Sequence, residues 1–236
     1  MLNRVADALF WIGRYMERAQ NHTRLINTIY HLNSRSNRNQ LEHWQHLLHL
    51  IGNESDFLFN YPEVNEHHVL HYVTLRTENQ NSICSCIHLA RNNMRLLREK
   101  LPADCWDTLN ALYLWINEQT VNDILAETPF IFYKKIQEQL NAFQGALVST
   151  MLRDDAWHFV ESGKYLERAD NGLRMLQAIH FGLHQEDAST NEYAAMMAVL
   201  KSINGYESYR QEYMELLSME TVVEFMVLHP TFPRST

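Results

Sequence analysis

The segment Gly13-Arg14-Tyr15-Met16-Glu17-Arg18-Ala19-Gln20-Asn21 recurs as Gly163-Lys164-Tyr165-Leu166-Glu167-Arg168-Ala169-Asp170-Asn171, and Arg24 and Arg174 extend the match. A repeat so distant and so rich in charge constrains the fold more than any other feature of the chain. At the helical advance per residue, Arg14, Glu17, Arg18, Asn21 and Arg24 fall within one arc of about 120°, with Ile12, Tyr15, Met16, Ala19 and Ile26 opposite. In the second copy Lys164, Glu167, Arg168, Asn171 and Arg174 occupy the same arc, and Tyr165, Leu166, Ala169, Leu173 and Leu176 form the apolar side. Each copy therefore reads as a two-sided helix. The polar side is repeated more faithfully than the apolar one, the reverse of what simple core packing selects.

Each long helix needs an apolar partner along several turns, which only a sizeable core supplies. The 236 residues and a hydrophobic fraction of 46% are enough for one. With only 7 Gly and 5 Pro, and with helix formers frequent, the composition favours an all-α protein. No segment alternates with a period of two, so a sheet is not expected. A formal charge of −8 without a basic stripe argues against nucleic acid as a partner. No uncharged apolar stretch reaches the roughly 18 residues a bilayer requires, so no membrane partner is expected. The first turns carry charge and lack a small-residue cleavage site, which predicts a cytoplasmic location.

Pattern and punctuation place the elements. A first helix is predicted from Leu2 to about Leu32, before the polar run Asn33 to Asn39. A second covers Leu41 to Ile51, with Gly52-Asn53 as its stop. A short third helix opens at Pro62, and Ser82 caps a helix over Ile83 to Leu101 that Pro102 ends. Ala103 to Glu118 follows. Thr128-Pro129 opens a helical stretch to about Phe181, broken near Arg153-Asp154-Asp155, where Asp154 can cap a new helix. Helices at about Asn191 to Ile203, Glu207 to Leu217 and Glu220 to Leu228 complete the chain. The simplest organisation is a single helical domain over residues 1–236, a bundle centred on the two helices that carry the repeat.

Three readings of the Glu-Arg faces follow from their chemistry. The faces are solvated, or Glu17 and Glu167 pair with arginines of the other copy and set the register of the two helices. Alternatively Arg14, Arg18, Arg24, Lys164, Arg168 and Arg174 supply donors to a carboxylate or phosphate, oriented by the glutamates and by Asn21 and Asn171. A third reading makes the glutamates an acid–base pair, but carboxylates among arginines are held ionised, which disfavours it. His43, His46 and His49 step by three, and His67 with His71 and His180 with His184 lie four apart, a spacing that can hold a metal. No His-Glu-x-x-His pattern accompanies them, so solvated or capping histidines are the favoured reading and no metal ligand is assigned. Cys84, Cys86 and Cys105 read as reduced core thiols. Gly-rich phosphate loops and nucleophile elbows are absent, so no cofactor and no catalytic residue is assigned.

The opening Asn3-Arg4-Val5-Ala6-Asp7-Ala8-Leu9-Phe10-Trp11-Ile12-Gly13-Arg14-Tyr15-Met16-Glu17-Arg18-Ala19 resembles the start of the bacterial alpha-E proteins, helical proteins with a Glu-Arg motif. The Ala90-Arg91-Asn92-Asn93-Met94-Arg95 helix, the Trp106, Leu109 and Asn110 element, the second Glu-Arg motif, Gly205-Tyr206-Glu207-Ser208-Tyr209-Arg210 and the closing Val223-Glu224-Phe225 and Phe232-Pro233-Arg234-Ser235 are similar too. Asn92 stands where that family usually has Glu, and family members usually continue past the Pro-Arg-Ser motif, so the resemblance implies a C-terminally short member or a fragment. The resemblance implies a setting beside a circularly permuted ATP-grasp protein, often near a transglutaminase-like protein, in a system that forms peptide or amide bonds. The expected role is an accessory or binding protein whose paired Glu-Arg faces recognise a partner or an anionic substrate. The alternative is an enzyme acting on an amino acid or peptide at a Glu17/Glu167 cleft.

Overall fold

The computed structural model describes residues 3–35, 40–51, 54–126, 128–182, 188–214 and 217–235. The described residues form helices and connections, with no strand among them. In order these are α1 (Asn3–Arg35), α2 (Gln40–Ile51), α3 (Glu54–Asn60), α4 (Glu66–Leu70), α5 (Ile83–Leu96), α6 (Ala103–Asn117), α7 (Val121–Ala126), α8 (Pro129–Thr150), α9 (Asp155–Gly182), α10 (Ala188–Ser202), α11 (Tyr206–Tyr213) and α12 (Met219–Leu228). The expected all-α class is the observed one. The contacts group into two compact units, Met1–Glu167 and Arg168–Thr236, with the boundary inside α9.

Three of these helices start where local sequence signals place them. The Ser82 Oγ accepts from the Ser85 amide at 3.1 Å, Pro129 occupies the first turn of α8, and Asp154 Oδ1 accepts from the amides of Ala156 and Trp157 at 3.0 and 3.2 Å. Each satisfies or removes an amide that the first helical turn leaves without a partner. Two expectations are corrected. The helix expected to open at Pro62 is α4 and begins at Glu66, because Asn65 Oδ1 caps the His68 amide. It runs on into a π-helical turn, His71–Leu75, closed by the Arg76 amide on the His71 carbonyl. Helix α5 stops at Leu96 instead of Leu101, and the turn that follows brings both Leu97 and Leu101 into the core. Pro102 then starts α6 with extended ψ, which a continuous helix could not provide. The proposed Gly52-Asn53 stop lies outside the described residues.

In the first unit α1 packs against α5, α8 and α2, and α6 packs against α5 and α8. Leu9, Ile12, Ile26, Leu47, Leu70, Ile83, Phe57, Tyr72, Tyr133 and Phe143 fill the interior. The buried Tyr133 hydroxyl has a partner in Thr74 Oγ1 at 2.7 Å, as a buried phenol requires. The thiols of Cys84, Cys86 and Cys105 are free and buried. Burial pushes Cys86 and Cys105 up to about 12 and raises Cys84.

A close backbone approach within this unit joins the two copies of the repeat. A Cβ on Gly13 would stand 2.0 Å from the Val160 carbonyl oxygen, and one on Gly163 would stand 2.0 Å from the Phe10 carbonyl oxygen. Position 13 answers to 163 and position 10 to 160, so each copy presents its glycine to the same backbone atom of the other. The helices α1 and α9 therefore cross backbone to backbone about a local twofold, at a separation only glycine permits.

The second unit is built round Phe225, which meets Tyr209 edge-on at 5.5 Å between ring centroids and Phe232 at 4.5 Å. Asn204, at φ 54°, ends α10 in the left-handed conformation, and the Gly205 amide reaches back to the Leu200 carbonyl. Ser218 and Thr221 form a reciprocal cap at the start of α12.

Either Gly13→Ala or Gly163→Ala should lower stability by about 3 kcal/mol or more, the upper range of overpacking costs, because backbone must move to admit the methyl group. Gly145→Ala, at an open position in α8, should instead be neutral or stabilising by up to about 1 kcal/mol; urea melts of the three variants compare them. At pH 8 the native thiols should resist alkylation and all three should react once the chain is denatured. Stability should fall between about pH 9 and about 12, since unfolded thiols ionise there while the folded ones keep their protons.

Candidate functional site

Along α1 the residues from Ile12 to Ile26 are covered on almost every side, so the charged arc is not a solvated face. Glu17 is fully buried, Asn21 and Arg24 are buried, and Arg14 and Arg18 are half-buried. In the first half of α9 the sides are reversed from the amphipathic expectation. Lys164 and Glu167 are buried, while Tyr165 and Leu166 are 53% and 51% exposed. The reason lies in the crossing at Gly13 and Gly163, which turns the two polar arcs towards each other.

Glu167 is where the copies meet. Arg18 Nε donates to its Oε1 at 2.8 Å and Arg18 Nη2 to its Oε2 at 3.1 Å, the forked geometry that a guanidinium makes with a carboxylate. Arg14 Nε approaches Oε2 to 2.6 Å as an ion pair, outside the angular range of a hydrogen bond. Arginines one turn apart on α1 thus hold a single carboxylate of α9. The third Arg18 nitrogen, Nη1, donates to Asn81 Oδ1 at 2.8 Å. The Asn81 carbonyl in turn accepts from His22 Nδ1 at 2.8 Å, which places the proton of that ring on Nδ1. Burial works against the charge on Arg18, but the hydrogen bond and charge of Glu167 more than offset it, so its pKa is raised. The neighbouring Cys86 thiol is neutral, because burial holds its pKa up at about 12.

Lys164 is also turned inward. It pairs with Glu161 three residues earlier on the same helix, and both side chains are buried. Further along α1, Gln20 Nε2 donates to Asn141 Oδ1 at 2.5 Å and ties α1 to α8. Arg14, Glu17, Arg18, Asn21, Arg24, Lys164 and Glu167 all belong to the first unit. Arg168, Asn171 and Arg174 belong to the second, where Arg168 Nη1 donates to the Pro233 carbonyl at 3.1 Å, Asn171 lies against Met175 and Arg174 pairs with Asp170. The ten residues of the repeated arc are therefore divided between two units.

Several participants escaped the sequence reading. Asn81 sits in the connection before α5, and nothing in its neighbours announces a contact with α1. His22 lies four residues beyond Arg18 on the same face, a spacing that could have found it. Glu161 has no counterpart in the first copy, where Trp11 occupies the matching position, so a comparison of the two repeats passes over it. The histidine spacings gather no metal set: among the described residues no group of three His, Cys, Asp or Glu side chains could hold an ion. Tyr61 Oη instead bonds His71 Nδ1 at 2.5 Å, and the pair His180 and His184 lies outside what is described of side chains.

Among the described residues, no helix is long and apolar enough to cross a membrane. A family model for "a predicted alpha-helical domain with a conserved ER motif", Alpha-E, matches residues 1–236. No curated protein and no solved structure matches the chain. The Glu17-Arg18 and Glu167-Arg168 pairs carry that motif twice, and the chain belongs to the Alpha-E family of helical domains.

Proposed function

We propose that this protein is an accessory binding component of an ATP-grasp-linked system that forms peptide or amide bonds. In this reading the crossed Glu-Arg faces hold the helices in register and offer Arg14 to an anionic group of the partner or its substrate. The observation that carries it is the clamp on Glu167. Both carboxylate oxygens are engaged by arginines of the other copy, an arrangement suited to holding position rather than to moving protons. Two guanidinium groups meet one carboxylate there, and the arginines keep 15% and 17% side-chain exposure against 6% for Glu167. Arg14 spends only Nε on Glu167, and its two terminal amino groups remain for an anion.

The proposed partner is the circularly permuted ATP-grasp protein that accompanies members of this family, with a transglutaminase-like protein as a second candidate. Such an enzyme activates a carboxylate as an acyl phosphate, and both the carboxylate and the phosphoryl group are anions that a fixed guanidinium can meet. A cytoplasmic setting, where ATP is at hand, belongs to the same reading.

Co-expression with the ATP-grasp protein followed by size-exclusion chromatography tests it. The two should co-elute, and ATP-dependent amide formation should rise when this protein is present. Arg14→Gln should leave the fold intact, because Arg18 still holds Glu167, and should weaken the complex or its output about tenfold. Normal assembly and output with Arg14→Gln would overturn the anion-recognition reading. Glu167→Gln should cost about 3 kcal/mol in a urea melt, since it strands two partly buried arginines. Turnover of an amino acid or peptide by the isolated protein, lost in folded Glu167→Gln, would establish the catalytic alternative instead.

A further inference from the structure

A second arginine cluster lies between α5 and α6 and shares no residue with the α1–α9 clamp. It forms a continuous ladder. The His88 ring meets Tyr113 edge-on at 5.5 Å between centroids, and the Arg91 guanidinium lies 4.3 Å from the centre of the Tyr113 ring and 5.3 Å from that of Trp106. Arg98 continues it at 4.0 Å from the Trp106 ring. The aromatic members come from one face of α6, where Trp106 and Tyr113 are two turns apart. The cationic ones come from α5 and the turn that ends it. Trp106, Tyr113 and Arg91 are half-buried and Arg98 is exposed.

Packing alone accounts for the stacking but not for the unused hydrogen-bonding capacity. Arg91 Nε donates to Asn110 Oδ1 at 2.8 Å, which fixes the plane of the guanidinium. Its terminal amino groups have no partner among the described residues, and Arg98 hydrogen-bonds to none of them. Among the described residues neither arginine pairs with a carboxylate, although Glu99, Asp104 and Asp107 are near in sequence and the chain has 28 acidic residues to 20 basic ones. Guanidinium planes held by aromatic rings lose little conformational freedom when they bind, and their outer edges match carboxylates. Arg, Trp and Tyr are also the side chains that most often dominate protein interfaces.

We propose that this ladder docks an acidic segment of a partner polypeptide, with Arg91 and Arg98 each taking one carboxylate and the Trp106 and Tyr113 rings supplying apolar contact. The charge is complementary and the donors are already oriented. The site is separate from Arg14, so it stands or falls independently of the ATP-grasp partnership.

The test is fluorescence anisotropy with a labelled hexaglutamate peptide at low ionic strength. Saturable binding is expected, weakening as salt is added. Arg98→Gln should weaken it about tenfold, and Arg91→Gln combined with Arg98→Gln should abolish it. Arg91→Lys keeps the charge and loses the fork, and should weaken binding nearly as much as Arg91→Gln. Arg153→Gln, which removes a guanidinium stacked on Trp157 elsewhere, should leave binding unchanged. Arg98 is exposed and its loss does not threaten the fold, so unchanged binding by Arg98→Gln would overturn the proposal, as would the absence of saturable binding. Tighter binding of an oligothymidylate of equal charge, lost in the same variants, would overturn the assignment to a polypeptide in favour of phosphate.

Discussion

The close approach of α1 and α9 at Gly13 and Gly163 is the constraint on which the arrangement of the first unit depends. Two helix backbones that pass carbonyl to α-carbon cannot slide or rotate past each other without a clash. Once the glycines meet, the azimuth of each helix is set, and with it the direction of every side chain within two turns. Arg14 and Arg18 lie one and five residues beyond the glycine of α1, and Glu167 four residues beyond that of α9. The same reciprocity that places Val160 against Gly13 places these charges on one another.

A charged interface of this kind adds modestly to stability, because desolvation offsets most of the attraction. Its value is in discrimination. A shift of α9 by one residue would carry Glu167 away from both guanidinium groups and leave partly buried arginines facing none of the carboxylates they need. An apolar seam tolerates such a slip far more easily. The Gly-Gly approach fixes distance and the Arg-Glu clamp fixes register, and the α1 side is tied in addition to the connection before α5 through Asn81 and to α8 through Asn141. The outward turn of Tyr165 and Leu166 follows from the same choice.

Much of the fold could be read from local chemistry. Ser82, Pro129 and Asp154 act within a few residues of their own position, so the helix starts they mark needed no tertiary information. The missed elements are short. Helix α7 carries a visible signal, Thr120 and Asp123 exchanging side-chain and backbone hydrogen bonds, but six residues hold too little periodicity to stand out. Helix α3 buries only Phe57. The π-helical turn depends on Tyr72 reaching Asp56 and Thr74 reaching Tyr133, contacts between segments distant in sequence. The early end of α5 likewise depends on the core that receives Leu97 and Leu101.

By itself the sequence determined the helical class, the two long helices and the presence of two matched polar arcs, because periodicity and capping act over a single turn. Membership of the Alpha-E family rests on a match over residues 1–236. Tertiary structure decided which side of each arc is inside and which residues share a site. A helical period shows that two faces differ in polarity but not which one a neighbour covers, and a buried charge is tolerable only when its partners arrive from elsewhere. Glu167 is held by residues of α1, while Arg168, the other half of its motif, turns to Pro233 in the second unit. That division is invisible in the repeat, whose two letters stand side by side.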